Sequence, residues 1–316
     1  MTEPFMLDLH TYLERLGYSS APPPTLDTLR ELQARHTAEF PFETLASMLR
    51  VPVEVEPAAI QDKLLHQRRG GYCFELNRLY LLLLQALGFD ARGLTGRVVM
   101  GGPEDALPAR THMLVLVTID GVRYISDVGF GGMVPTGPLL LDSEAEQATP
   151  HEPYWLTLVD GTYTLRALVA GSWRAMYVFD LQKVADIDYV VGNWYVCTNP
   201  ESPFLGQMIA ARTGPGLRKT LNNGSFAIHR LGQASERVQL QSVDEVLRVL
   251  REEFGIRVPE HPERREIIER LIAGGVKARP LVSPRSCGRG FSRDPKPPKS
   301  VGAASAAKIS EASKAR

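Results

Sequence analysis

Cysteine is scarce in this chain. Cys73, Cys197 and Cys287 are the only three in 316 residues, they lie far apart, and no CxxC pair occurs. Such an odd, sparse set argues against a disulfide framework and against a structural zinc site. A reducing, cytoplasmic setting is the expectation. A surplus of one charge is also missing. Lys+Arg and Asp+Glu both number 36, whereas a nucleic-acid binder usually carries a basic excess. Long hydrophobic runs are absent. The longest apolar cluster, Leu79 to Leu84, is far too short to span a bilayer. The opening stretch MTEPFMLDLHTYLERLGY has acidic residues and lacks the apolar region of a signal peptide. No internal repeat is visible. What remains is an ordinary globular composition, 44% hydrophobic and 23% charged, in a chain long enough for a sizeable core.

Residues 5–90 read mostly as helix. Phe5, Leu9, Tyr12, Leu13 and Leu16 recur at helical spacing and Gly17 ends the run. In APPPTLDTLRELQARHTAEF the prolines stop one element, and Thr25 or Asp27 can cap the next. Phe74 to Leu87 predicts a strongly apolar helix that Gly88 ends. The pattern changes near residue 90. RVVM, HMLVLVTI, VRYISDV, YWLTLV, YTLRAL and WRAMYVF alternate or are β-branched, with turn residues between them. They predict an antiparallel barrel or sandwich over about 92–195. Farther on, GSFAIHRLG and RVQLQ read as strands, and VDEVLRVLREEF and ERREIIERLIAGG as helices. After about Val282 the sequence is rich in Ser, Gly, Pro, Ala and Lys and reads as a disordered basic tail. The expected division is 1–90 helical, 91–198 β-barrel, 199–282 α/β and 283–316 tail.

One stretch does not read as packing alone. In RRGGYCFELN, Cys73 follows Gly70 and Gly71 where the apolar helix begins. The glycines allow a sharp turn, and the positive end of a helix favours negative charge on the sulfur. Arg68 and Arg69 could add to that field, and the amides of the turn could receive an oxyanion. Most free cysteines are simply small buried hydrophobes, so chemistry at Cys73 requires partners.

A nucleophilic cysteine needs a base, and the base needs an orienter. Seven histidines are available. Asp120-Gly121, set between two alternating apolar runs, signals a two-residue hairpin in which Ile119 faces Val122. Counting back, Leu114 faces Asp127 and His112 faces Gly129. His112 and Asp127 thus become diagonal neighbours on one face, about 7 Å apart or somewhat less by Cβ. That is within reach of an imidazole–carboxylate hydrogen bond, provided no β-bulge intervenes. A buried aspartate beside apolar residues needs a partner. His66, near Cys73 in sequence, reads as a surface residue. Gly129-Phe130-Gly131-Gly132 follows at once and could let a ligand approach the backbone closely. It lacks the Gly-Lys-Ser/Thr ending of a nucleotide-binding loop.

Taken in order, Arg69-Gly70-Gly71-Tyr72-Cys73, Thr111-His112-Met113 and Asp127-Val128-Gly129-Phe130-Gly131 resemble the arylamine N-acetyltransferase family over about residues 5–280. Pro41-Phe42-Glu43 and Asn199-Pro200-Glu201-Ser202-Pro203-Phe204 support the resemblance. It implies an α+β fold: an N-terminal helical bundle, a central antiparallel β-barrel and a C-terminal α/β lid, with a cysteine-protease-like triad at Cys73, His112 and Asp127. It implies ping-pong transfer of acetyl from acetyl-CoA, through a cysteine thioester, to an arylamine or arylhydrazine, without a metal. Tyr72, Phe130 and Phe204 match positions that line the acceptor pocket. Gly129 and Gly131 match the region beside the CoA entrance, and Arg69 and Glu43 match a buried structural ion pair. Acetyl-CoA and a small aromatic amine or hydrazine are then the partners of a monomer or homodimer, with no nucleic acid or membrane. Residues 283–316 extend beyond the usual end of bacterial members.

The residues leave three alternatives open. A relative could use another acyl donor, a Cys-His-Asp hydrolase would carry the same groups, and a binding protein could keep the fold without the chemistry.

Overall fold

The computed structural model describes residues 5–274. The expectation for the 283–316 tail, and Cys287 with it, lies outside the described residues.

The chain opens with helix α1, Leu9–Arg15, which Asp8 caps by accepting from the Thr11 amide at 3.1 Å. Gly17, at φ 76°, ends it in the left-handed region that glycine tolerates. Thr25 caps α2, Leu26–Glu39. A short strand β1, Phe42–Glu43, leads to α3, Leu45–Met48. Helix α4, Pro57–Gln61, runs on into a π-helical turn over Asp62–His66. Helix α5, Cys73–Ala86, buries Phe74, Leu76, Leu79, Tyr80, Leu83 and Leu84 in one large cluster shared with α1 and α2.

Seven antiparallel strands follow: β2 Asp90–Val98, β3 Arg110–Ile119, β4 Val122–Ser126, β5 Leu139–Leu140, β6 Tyr154–Val159, β7 Thr162–Val169 and β8 Ser172–Phe179. They order as β5-β4-β3-β2-β8-β7-β6. All seven strands send side chains into one interior cluster, from Leu94 and Leu114 to Tyr154, Leu165 and Tyr177. The sheet is therefore curled around its own core, as the expected barrel requires. Strand β3 is buried on both faces. Leu114 and Leu116 point into that interior, while Met113, Val115 and Val117 pack with α5. This double burial is why HMLVLVTI reads as a continuous apolar run rather than a clean alternation.

The region read as barrel to about residue 195 ends instead in a helix, α6, Asp186–Thr198. Its sequence, DIDYVVGNWYVCT, is rich in β-branched and aromatic residues and suggests a strand. The helix forms because Tyr189, Gly192, Asn193 and Val196 fall on one buried face. Asp188 also reaches back to accept from the Ala185 amide at 2.8 Å, and acidic residues at a helix start complement its dipole. A second sheet then runs through β9 Ile209–Gly214, β10 Leu217–Asn222, β11 Ser225–Arg230 and β12 Glu236–Gln239. The first two of these strands went unread in the sequence, because ARTGPGLRK is too polar to look buried. Helices α7, Val243–Glu252, and α8, Arg264–Ala273, pack against this sheet. Its order is β1-β9-β10-β11-β12, so its edge strand comes from the N-terminal helical region. No described helix is long and apolar enough to cross a membrane.

Candidate active site

The turn before α5 is built by close packing. A Cβ on Gly70 would sit 2.4 Å from the Pro41 carbonyl oxygen, and one on Gly71 would sit 2.9 Å from the Glu75 carboxylate. Neither glycine has a positive φ; the left-handed residue is Arg68, at 53°. The glycines thus admit neighbouring chain rather than supply an unusual turn. Gly71 forms a parallel bridge with Phe42, and the Glu43 amide donates to the Gly71 carbonyl at 2.9 Å. Glu43 is fully buried. Its Oε1 receives Arg69 Nη2 at 2.7 Å and its Oε2 receives the Leu45 amide at 2.6 Å. Arg69 is therefore a fastener between turn and strand, as the family resemblance implied, and its charge is spent there rather than on the sulfur. Glu75, also buried, receives the Tyr72 amide at 3.1 Å and Lys63 at 2.5 Å. Burial pushes the Glu75 carboxyl up, and the Lys63 ammonium offsets part of that rise.

Removing one partner of a buried ion pair strands the other charge. Arg69→Met is therefore expected to cost about 3–5 kcal/mol of stability, read by urea unfolding. A loss below about 1 kcal/mol, the scale of an exposed pair, would show that the pair does not hold the turn.

Cys73 begins α5 and is buried, its Sγ 3.5 Å from the Thr111 carbonyl oxygen. The next residue of that strand, His112, carries the imidazole. The hairpin register is the one counted from the sequence: Ile119 faces Val122 and each pair holds back to Val115 and Ser126. The bulge in β3's pairings lies on the β2 side, between Gly96 and Arg97, and leaves this register intact. One residue beyond Ser126, the Asp127 carboxylate lies 2.7 Å from His112 Nε2. Both side chains are sealed from solvent.

Asp127 has four donors. Oδ2 receives His112 Nε2 and the Tyr177 hydroxyl, the latter at 3.0 Å, while Oδ1 receives Asn77 Nδ2 and the Gly129 amide, both at 2.8 Å. Burial alone would raise this carboxyl, but the His112 charge and these hydrogen bonds hold it below the ordinary aspartate value. For His112, burial works to lower the pKa. The Asp127 carboxylate, its hydrogen bond and the adjoining Cys73 outweigh it and hold the imidazole up to about 10. Burial beside Asp127 pushes Tyr177 well above the usual phenol range, so it stays a donor.

The pH dependence of stability follows from these directions. His112 lies above its unfolded value of 6.5, so its contribution is full below that pH and is lost as pH rises through about 10. Asp127 lies below its unfolded value of 3.8, so its contribution is present above that pH and is lost as pH falls further. The melting temperature is expected to drop from pH 8 toward 10 in the wild type, and to drop less in Asp127→Asn, where the largest of the groups that hold the imidazole up is gone. Parallel melting curves in the two proteins would contradict the coupling.

Two residues of this network went unread in the sequence. Asn77 lies one helical turn beyond Cys73, and that spacing was its only signal. Its Nδ2 also donates to the Met113 carbonyl at 2.7 Å, and its Oδ1 receives the Val128 amide at 3.0 Å. Tyr177 comes from β8, far along the chain, and no local pattern marks it. His66, as expected, is at the surface, near Asp8 and Asp62.

The remaining expected residues surround this centre unequally. The Phe130 ring centroid lies 5.0 Å from that of His112 and 4.9 Å from that of Tyr177, and the ring is partly exposed. The partly buried Phe204 ring packs edge-on to Phe42 and Tyr72, at 6.0 and 5.6 Å. Tyr72 is buried, and its hydroxyl is tied to Asn193 Oδ1. Gly129 lies directly on the start of α5, where a Cβ would meet the Cys73 Cα at 2.7 Å. Gly131, at φ 63°, rests on the Phe42 ring. Among the described residues, no group of three or more His, Cys, Asp or Glu is placed to hold a metal ion.

A family profile described as N-acetyltransferase matches residues 25–262. The arylamine N-acetyltransferase of Mycobacterium tuberculosis strain H37Rv is 42% identical over 270 residues, covering 84% of this chain and 95% of that protein. A Salmonella typhimurium protein named arylamine N-acetyltransferase / N-hydroxyarylamine O-acetyltransferase is 39% identical over 251 residues, covering 79% of this chain and 89% of its own. Among solved structures, Mycobacterium marinum arylamine N-acetyltransferase in complex with CoA superposes with a TM-score of 0.79 at 39% identity, over 84% of this chain and 99% of that one. Profile, relatives and fold agree, and the chain belongs to the arylamine N-acetyltransferase family.

Proposed function

We propose that the chain is an acetyl-CoA-dependent arylamine N-acetyltransferase working by a ping-pong route. The observation that carries the reading is the buried 2.7 Å His112–Asp127 pair set against a cysteine at the start of α5. Cys73 acts as nucleophile, His112 as its ion-pair partner and proton carrier, and Asp127 as the orienter of His112.

In the first half-reaction the Cys73 thiolate attacks the acetyl carbonyl. The new S–C bond forms, the bond to the CoA sulfur breaks, and the imidazolium proton passes to the departing thiolate. One thioester replaces another at little thermodynamic cost. In the second, the amine nitrogen attacks the acetyl-cysteine, the C–S bond breaks, and His112 takes the proton lost by nitrogen. The thiolate–imidazolium pair is restored. An arylamine is neutral at pH 7 and needs no prior deprotonation. The amides of Gly71 and Tyr72 are committed, at 3.3 Å to Pro41 and 3.1 Å to Glu75. The amides of Glu75 and Leu76 both donate to the Tyr72 carbonyl at 2.9 Å, which leaves those of Cys73 and Phe74, at the open start of α5, to receive the oxyanion.

Phe130 and Phe204 present partly exposed rings beside the centre and are assigned to the aromatic acceptor pocket, with buried Tyr72 as its back wall. Gly129 and Gly131 carry the loop against which acetyl-CoA enters. Residues 1–90 supply the nucleophile, 91–198 the histidine and aspartate, and 199–282 the cover, in a cytoplasmic monomer or homodimer.

Intact-protein mass spectrometry after mixing with acetyl-CoA and no amine tests the reading. One acetyl adduct is expected, absent in Cys73→Ala and discharged by an arylamine. No adduct, with Cys73 still alkylated by iodoacetamide, would point to another acyl donor or to a hydrolase.

A further inference from the structure

Gln33 sits in the middle of α2, fully buried among Leu29, Leu32 and His36. A primary amide in an apolar helix face costs stability unless its hydrogen bonds are met. Those of Gln33 are met by the loop that follows Asp127. Its Nε2 donates to the carbonyl of Asp127 at 3.3 Å and to the carbonyl of Pro135 at 2.7 Å. Its Oε1 receives the Ser126 hydroxyl at 2.7 Å, and that hydroxyl also meets the Tyr80 hydroxyl at 3.0 Å. The orientation is fixed by chemistry, since two backbone carbonyls can only accept and must face the NH₂ end.

The two carbonyls lie at opposite ends of one loop. Between them run Val128, Gly129, Phe130, Gly131, Gly132, Met133 and Val134. This loop lays Gly129 on Cys73 and Phe130 on His112. Its glycines give it little stiffness of its own. It has other ties: Asn77 receives the Val128 amide, the Asp127 carboxylate receives the Gly129 amide, and the Met133 carbonyl receives the Tyr154 hydroxyl at 2.9 Å. None of these joins the two ends. We propose that Gln33 is a positioning residue, a staple that closes the base of the 127–135 loop and so holds Phe130 over the thioester. The Asp127 side chain keeps its four donors without Gln33, so the staple governs the loop and not formation of the ion pair. The kinetic part of the inference rests on the transferase reading; the structural part does not.

Gln33→Met keeps the length and burial and removes all three hydrogen bonds. Amide hydrogen exchange over 128–134, followed by mass spectrometry, is expected to quicken about tenfold, the scale of one or two lost hydrogen bonds, while the β10–β11 hairpin exchanges as in wild type. The KM for acetyl-CoA should rise and the acetyl-enzyme should hydrolyse about tenfold faster as the dry site opens, while iodoacetamide alkylates Cys73 at close to the wild-type rate. Unchanged exchange over 128–134 in folded Gln33→Met overturns the staple. If the variant fails to fold, Ser126→Ala, which frees Gln33 Oε1 and the Tyr80 hydroxyl and leaves the Gln33 amide held by its NH₂ end alone, is expected to quicken the same peptide, and an unchanged peptide there overturns it equally. If wild type forms no acetyl adduct, the transferase reading fails, and the exchange comparison still decides the staple.

Discussion

Cys73→Ser is expected to lower acetyl transfer by at least about four orders of magnitude, the scale on which removing a triad nucleophile acts. The substitution changes one atom. The Cα and Cβ of residue 73, against which Gly129 lies, are kept, so the melting temperature should move little. What changes is the acid–base chemistry. His112, held up to about 10 by Asp127, is a poor acceptor for the proton of an alcohol near pH 7. A serine hydroxyl is too weak an acid to give the proton up and stay charged. A thiol is a much stronger acid than an alcohol, and its thiolate a better nucleophile. Steady-state transfer and the acetyl-adduct mass read the effect. Turnover within about tenfold of wild type would remove Cys73 from the reaction.

Asp127→Asn is expected to cost about three to four orders of magnitude in turnover, as for loss of the orienting carboxylate in other triads. Four donors converge on the native carboxylate. An asparagine turned either way presents its NH₂ to two of them. If the NH₂ replaces Oδ2, it faces the Tyr177 hydroxyl and His112; if Oδ1, it faces Asn77 and the Gly129 amide. Each case leaves buried donors unmet and removes the charge that holds the imidazolium in place. Two readings should move together: turnover falls, and iodoacetamide alkylation of Cys73 at neutral pH slows. Lost turnover with full alkylation would mean that Asp127 serves the acetyl acceptor and not the ion pair. Asn77→Ala should show a weaker form of both effects, about ten- to a hundredfold, because it removes one donor of four and the tie to Val128.

How much of this was legible depended on whether the information was local. Hairpin geometry is local: Asp120-Gly121 fixes the turn, the turn fixes the register, and the two-residue period of a strand carries it to His112 and Asp127. The start of α5 is local too, because an apolar run ending in Gly88 defines a helix. Helix α6 was missed because its β-branched residues follow strand propensity, and only the buried face of Tyr189, Gly192, Asn193 and Val196 overrides it. Strands β9 and β10 were missed because Arg212, Arg218 and Lys219 pass for surface residues. In the fold their charges meet the Ala38 carbonyl, Glu152 and Glu253 at 2.6, 2.6 and 2.7 Å.

By itself, then, the sequence determined the position of Cys73 at a helix start, the histidine–aspartate pair and the family. The first two follow from spacing within a stretch of about twenty residues or fewer; the family rests on the resemblance of motifs spread from Pro41 to Phe204. Tertiary structure alone decided what surrounds that pair. Tyr177 is 50 residues from Asp127 and Gln33 is 94, and no periodicity spans such gaps. Their roles come into being only when the barrel closes over Tyr177 and α2 packs Gln33 against the loop, where buried polar atoms must find one another because water is gone.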